Sequence, residues 1–219
     1  MNRFTIHGPN PASMFAALVA SLLPSNVLRC LAYRLLFRYD IQRSSIGLGT
    51  ILLVKAARLE HCRVGKFNRF VGPMTVIIGK DATVGPFNEF SCGSWTLEER
   101  FKDADYMRYL SIGEQTVITS NHVFDIVGSF ILGKMSWIAG KGSQFWTHGV
   151  GVEDRNVSIG EGCYVGSAVR FVPGASIANN CLVAIGSVVT NKLSEDNTLV
   201  AGVPARIIKR NYDWKARLR

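Results

Sequence analysis

A six-residue register runs without a break through residues 159–194. Ile159, Val165, Phe171, Ile177, Val183 and Val189 open successive hexads, most of which continue with Gly, Ala or another small residue. The fifth places are Cys163, Val169, Ala175, Cys181, Ser187 and Leu193, all small or apolar. A period of six fits neither the 3.6 of an α-helix nor the 2 of an ordinary strand. It predicts a parallel β-helix in which each hexad forms one side of a triangular coil and eighteen residues close a turn. The first residue of each hexad then fills a narrow prism, and the small second residue sits where the chain bends and neighbouring coils approach. Coils stack at about the inter-strand spacing of ~4.8 Å, which places Cys163 above Cys181 as two small residues in a dry column rather than as a disulfide.

The register recurs upstream. It is worn between residues 41 and 76, where Ile46-Gly47, Val64-Gly65 and Val71-Gly72 have slipped spacing, and regular from Ile78 to Ser91 and from Ile112 to Val123. Two interruptions are expected to be ejected loops, one near residues 93–111 and the other near 128–156, and such loops are where a rigid solenoid carries chemistry. The chain therefore divides into a helical cap at residues 1–40, a coil at 41–209 and a basic C-terminal tail or short helix at 210–219.

Within the cap, Pro11 to Leu23 reads as an apolar helix, and Pro24-Ser25 starts a second. Leu28, Leu31, Ala32, Leu35, Leu36 and Tyr39 form one stripe on that second helix, with Arg29, Arg34 and Arg38 off it. The stripe is expected to pack on the first coil and cover its open strand edges. A basic amphipathic helix resting on a membrane surface is a compatible alternative. The uncharged run at residues 12–23 is too short to span a bilayer, and no small-x-small cleavage site follows it.

The formal net charge of +9 draws anionic partners such as phosphorylated cofactors or acidic lipid, but no nucleic-acid-binding motif accompanies it. Five cysteines, odd in number and without a CxxC pair, fit free thiols in a reducing, cytoplasmic setting. His7, His61, His122 and His148 lack the close pairing of a metal site, and no metal is expected.

The block Val183-Ala184-Ile185-Gly186-Ser187-Val188-Val189-Thr190, followed by Ala201-Gly202-Val203-Pro204-Ala205-Arg206-Ile207-Ile208, resembles the closing signature of the hexapeptide acyltransferases, among them the maltose, galactoside and xenobiotic acetyltransferases. That resemblance implies an all-β, left-handed parallel β-helix, a homotrimer, and acetyl-coenzyme A held in a groove between subunits. It also implies a histidine that deprotonates the acceptor. Asn121-His122-Val123-Phe124-Asp125 is similar to the Asn-His-x-x-Asp of the xenobiotic enzymes, which makes His122 the expected base, Asp125 its orienting partner and Asn121 an acceptor contact. Imidazole suits that task because its ordinary pKa of about 6.5 lets it accept a proton at neutral pH.

The same match assigns coenzyme contacts to Tyr164, Gly166, Ser167, Ala184, Ile185, Thr190 and Arg206. The backbone groups of Gly166, Ala184 and Ile185 would meet the pantetheine amides. Lys192 stands one place beyond the family's usual lysine, whose own position is Asn191. Trp146, in the second interruption, offers an aromatic face to a sugar ring or thioester, and His148 beside it is a second acceptor-binding candidate. The reading is an acetyl-coenzyme A-dependent O-acetyltransferase of a carbohydrate, a surface or capsular polysaccharide or its precursor. An N- or O-acetyltransferase of a small amino-sugar or antibiotic, and a non-catalytic β-helix scaffold, are the alternatives.

Overall fold

An apolar residue every sixth position has to point inward on each flat side, and the chain winds accordingly. The structure, a computed structural model, describes residues 10–217. Its strands form a left-handed parallel coil, an exception to the right-handed crossover rule. One face stacks the short strands Ser45–Ile46, Arg63–Val64, Thr83–Val84, Val117–Ile118, Trp137–Ile138, Tyr164–Val165 and Leu182–Val183 in parallel. Each buries its second residue. A second face carries a column of phenylalanines. Phe70, Phe90, Phe124, Phe145 and Phe171 stack with ring centroids 4.3, 4.4, 4.7 and 5.4 Å apart. The third face buries Leu59, Ile78, Ile112, Leu132, Ile159 and Ile177.

The worn register between residues 41 and 76 has a structural cause. Strands Ile51–Glu60 and Arg69–Ile78 run ten residues each around the corner between the second and third faces. Leu52 still pairs with Phe70 eighteen residues on, but the next coil is longer, since Leu59 pairs with Ile78 and Phe70 with Phe90.

The second interruption is narrower than residues 128–156. Ser129–Leu132, Trp137–Ile138 and Gln144–Phe145 are ordinary coil strands, and the chain leaves the coil only between Phe145 and Asn156. A single extra residue between Ile138 and Phe145 hides the repeat from a six-residue count. It is absorbed at a corner where Gly140 and Gly142 have φ of 66° and 78°, a conformation that favours glycine. A side chain on Gly140 would also overlap Ser167 Oγ of the next coil. The first excursion occupies residues 93–108, with short 3₁₀ turns at Ser94–Leu97 and Glu99–Phe101, before the coil resumes at Tyr109.

The N-terminal end is closed by α1 (Pro11–Leu22) and α2 (Asn26–Phe37). Asn10 and Ser13 form a reciprocal capping box on α1, and the Ser25 hydroxyl accepts from Leu28 N at 3.2 Å to cap α2. Helix α2 covers the first coil with a face largely other than the expected stripe, of which only Ala32 and Tyr39 turn inward. Leu28, Leu31, Leu35 and Leu36 are exposed, whereas Arg29, Cys30, Tyr33 and Phe37 are buried.

Strand-edge chemistry accounts for the difference, because the backbone groups of an uncovered first coil need partners. The Tyr33 hydroxyl donates to Thr50 O (2.8 Å) and accepts from Leu52 N (3.2 Å), and the Tyr39 hydroxyl donates to Val54 O (2.8 Å). Arg29 Nε donates to Ile46 O (2.7 Å), and Asn26 Oδ1 accepts from Ile46 N (2.8 Å).

At the other end Ala205–Lys209 folds back antiparallel on Leu199–Gly202 and closes the edge. The basic tail is anchored rather than freely solvated: Trp214 is buried, donates to Gly162 O at 3.1 Å, and Arg210 pairs with Glu195 at 2.6 Å. Lys215–Arg217 form a 3₁₀ turn. Arg3, His7 and Arg219 lie outside the described residues. The five cysteines are buried and free.

Candidate active site

His122 lies inside the prism with no solvent exposure. It belongs to a ladder in which an inward polar side chain of each coil accepts an N–H from the next. Asn68 Oδ1 accepts from Asn88 N (2.8 Å), Asn88 Oδ1 from His122 N (2.9 Å), His122 Nδ1 from Ser143 N (3.1 Å) and Ser143 Oγ from Val169 N (3.3 Å). Since Nδ1 accepts, Nε2 carries the proton and donates to Thr119 Oγ1 at 3.0 Å, which in turn donates to Gly140 O at 2.6 Å. Burial lowers the pKa of the imidazole to about 4. Both ring nitrogens are occupied in the interior, so the expectation that His122 is the catalytic base is corrected: its contacts are architectural. Asn121 is likewise a turn residue, with φ of 58° and its carbonyl accepting from Gly142 N at 3.0 Å, on the corner between the first and second faces.

The other corner of the second face holds the chemistry. Asp125 ends strand Val123–Asp125 there and is 7% exposed. The coil before it ejects residues 93–108 and the coil after it ejects residues 146–155, so two arms meet over Asp125. From the later arm, Asp125 Oδ2 accepts from Thr147 N (2.9 Å) and Thr147 Oγ1 (3.0 Å). The same oxygen lies 2.8 Å from His148 Nδ1. A carboxylate only accepts, so it fixes the proton on Nδ1. Nε2 then keeps its lone pair and has no hydrogen-bond partner among the described residues. The His148 side chain is 41% exposed.

From the earlier arm comes Trp95, its ring centroid 5.7 Å from that of His148. Phe101 and Tyr106 pack edge-on against Trp95 at 5.1 and 5.5 Å, and Arg155 lies over Tyr106 at 5.3 Å. The arm is tied down by Gly93 O, which accepts from Thr96 Oγ1 at 2.7 Å, and by Arg108, which donates to Thr96 O at 3.1 Å. Trp95, Phe101, Tyr106, His148, Val150 and Arg155 line an open cavity of about 350 Å³. Of these only His148 was marked from sequence as a site residue. Trp95 lies in the first interruption, where nothing local ties it to a histidine 53 positions later.

No family model matches the chain. Over 171 residues, 75% of this chain and 78% of the relative, it is 25% identical to the galactoside O-acetyltransferase of Escherichia coli K12. It is 42% identical over 65 residues to an Escherichia coli K12 protein provisionally named a lipopolysaccharide biosynthesis O-acetyl transferase. That match covers 29% of this chain and only 33% of the relative's length. A hexapeptide-repeat-containing acetyltransferase from Vibrio cholerae shares the fold, with a TM-score of 0.51 and 21% identity over 92% of this chain and 90% of that one. In fold and in sequence the chain resembles the hexapeptide-repeat acetyltransferases.

The corners of the coil are stacked columns, and the expected coenzyme contacts divide among them. Gly166, Ser167, Ala184 and Ile185 share the corner between the first and second faces, and Tyr164 leads into it from the first face, its ring 5.6 Å from Trp137. Trp146 and Thr190 are on the His148 corner. Lys192 is on the third face, ion-paired with Asp154 at 2.7 Å. Arg206 is exposed on the closing hairpin, donating to Ala205 O at 2.9 Å.

The backbone of Gly166 and Ala184 is already used: their N–H groups donate to Val183 O and Val200 O, and their carbonyls accept from Ser143 Oγ and Ser187 Oγ. Those two therefore do not offer free amides. Ile185 does, since its N–H and C=O have no partner among the described residues and its side chain is 73% exposed. A trough of small residues with a free amide, and Arg206 on the adjoining hairpin, fits a pantetheine arm and its phosphates. One chain does not bring this column and His148 to a single corner.

Proposed function

We propose that the protein is an O-acetyltransferase that moves acetyl from acetyl-coenzyme A to a carbohydrate hydroxyl, the acceptor being a surface or capsular polysaccharide or its precursor. The observation that carries the reading is the His148–Asp125 pair opening into an aromatic-walled cavity. Acetyl-coenzyme A would supply the activated acetyl group. A sugar hydroxyl is a weak nucleophile at neutral pH and needs a base within hydrogen-bond reach. His148 Nε2 takes the hydroxyl proton while Asp125, buried and held by Thr147, keeps the ring oriented and stabilises the imidazolium. The hydroxyl oxygen adds to the thioester carbonyl, the C–S bond breaks, and the proton on Nε2 passes to the departing thiolate to give free coenzyme A and the O-acetylated sugar.

Trp95, Phe101 and Tyr106 offer apolar faces of the kind that pack on sugar C–H surfaces, and Arg155 provides hydrogen-bond donors beside them. The names of the two Escherichia coli relatives, one for galactoside and one for lipopolysaccharide, agree with a carbohydrate acceptor. The coenzyme column and His148 occupy different corners, which favours a homotrimer whose grooves pair one corner of each copy with the other corner of its neighbour. The setting we propose is the cytoplasm, with Arg206, Lys192, Thr190, Ser167, Tyr164 and Trp146 along the coenzyme groove.

The reading is tested by mixing the protein with acetyl-coenzyme A and a panel of sugars, polysaccharides, amino-sugars and antibiotics while following thiol release. His148→Ala is expected to lower turnover ~10² to 10⁴-fold with unchanged thermal melting. Near-normal transfer by that variant removes His148 as the base, and thiol release with amines alone moves the reaction to N-acetylation.

A further inference from the structure

The two cap helices are inside out. α1 has no charged residue; it turns Ser13, Ala17, Ala20 and Ser21 inward and leaves Phe15 (69% exposed), Leu18, Val19 and Leu22 outside. α2 buries Arg29 and Tyr33 against the first coil's backbone and leaves Val27 (73%), Leu28, Leu31, Leu35 (70%) and Leu36 outside. α1 and α2 pack on each other, so nine large apolar side chains form adjoining outer surfaces with no described side chain over them. An apolar area of this extent marks an interface. The first 39 residues contain four arginines and no acid. Of the arginines, Arg34 and Arg38 are exposed on the last turn of α2 and its C-cap, and the first acid, Asp40, is beside Arg58 at 3.7 Å.

We propose that this cap docks on the surface of a bilayer containing anionic lipid. The helices lie in the interfacial plane with the apolar side chains in the acyl boundary, and Arg34 and Arg38 reach the headgroup phosphates. Twelve residues per helix are too few to cross a bilayer, and no described helix is long and apolar enough to do so. Charge selects lipid over a second copy. Two such caps face to face bring arginines together with no acid in either helix to pair with them, whereas an anionic headgroup layer neutralises them. The proposal is independent of the chemistry at His148.

Flotation of the full chain with vesicles tests it. Vesicles of phosphatidylcholine with phosphatidylglycerol should carry the protein, vesicles of phosphatidylcholine alone should carry less, and added salt should narrow the difference. The Phe15→Glu/Leu35→Glu double variant alters only outward side chains, so its melting should match that of the parent while its vesicle partitioning falls roughly a hundredfold. Arg38→Gln should weaken binding to the anionic vesicles alone. Failure of the parent to float with either vesicle, or equal flotation of the double variant, overturns the proposal. A smaller assembly in solution for the double variant also overturns it, because the face would then be covered by another copy.

Discussion

Replacing His122 by Asn separates an architectural imidazole from a chemical one. Asn68 and Asn88, in the same column, hold the next coil's N–H with an amide oxygen at 2.8 and 2.9 Å, so His122→Asn keeps an acceptor for Ser143 N. The smaller side chain leaves a gap, and the expected loss near neutral pH is roughly 1–2 kcal/mol. His122→Ala also strands the Ser143 N–H in the dry interior and should cost roughly 1–3 kcal/mol more.

The pH dependence is the sharper measurement. In the folded protein burial lowers the imidazole's pKa from 6.5 to about 4. Above the unfolded value both states are neutral and the full stability is present. As pH falls below it the unfolded chain takes up a proton that the folded one refuses, so stability drops until the folded value is reached. Over that window the parent should lose about 3 kcal/mol through this one group, and His122→Asn should not show that component. The assay is thermal unfolding followed across the window, together with acetyl transfer at neutral pH. An unchanged pH dependence in the variant would refute the buried, neutral assignment. A folded His122→Asn protein with turnover down ~10²-fold or more would return the chemistry to His122.

Two further outcomes follow from the coil itself. Phe124→Ala removes the middle ring of the phenylalanine column and both of its stacking neighbours, at 4.4 and 4.7 Å; urea unfolding should show a loss of roughly 3–5 kcal/mol, and a change below ~1 kcal/mol would mean that the column is not continuous core. Arg206→Ala should weaken acetyl-coenzyme A binding most at low ionic strength and less as salt rises. An unchanged apparent affinity at low salt removes Arg206 from the phosphate site.

The coil was legible before any coordinates. A six-residue apolar period has one compact solution, and Val165, Phe171, Ile177 and Val183 report it without help from the rest of the chain. His148 and Trp146 were also legible as candidates, because polar and aromatic groups at an interruption of a rigid solenoid have little else to do, and Asp125 was legible through the resemblance of residues 121–125 to an Asn-His-x-x-Asp motif. Two decisions were not local. Both cap helices are apolar on more than one side, and which side turned inward was settled by backbone groups of the first coil that needed Tyr33, Arg29 and Asn26 as partners.

The two histidines pose the same problem, since each follows a coil strand and each has an acid in reach along the chain. The six-residue register itself turns position 122 inward, at a fifth place like Asn88, Cys163 and Val169, all buried, and stacking then sets the Ser143 N–H against its ring. Position 148 points outward because its arm and the Trp95 arm leave coils on either side of Asp125. Contacts between residues 95, 125 and 148 depend on how many coils separate them in space, and no periodicity in a linear chain encodes which arms end up adjacent.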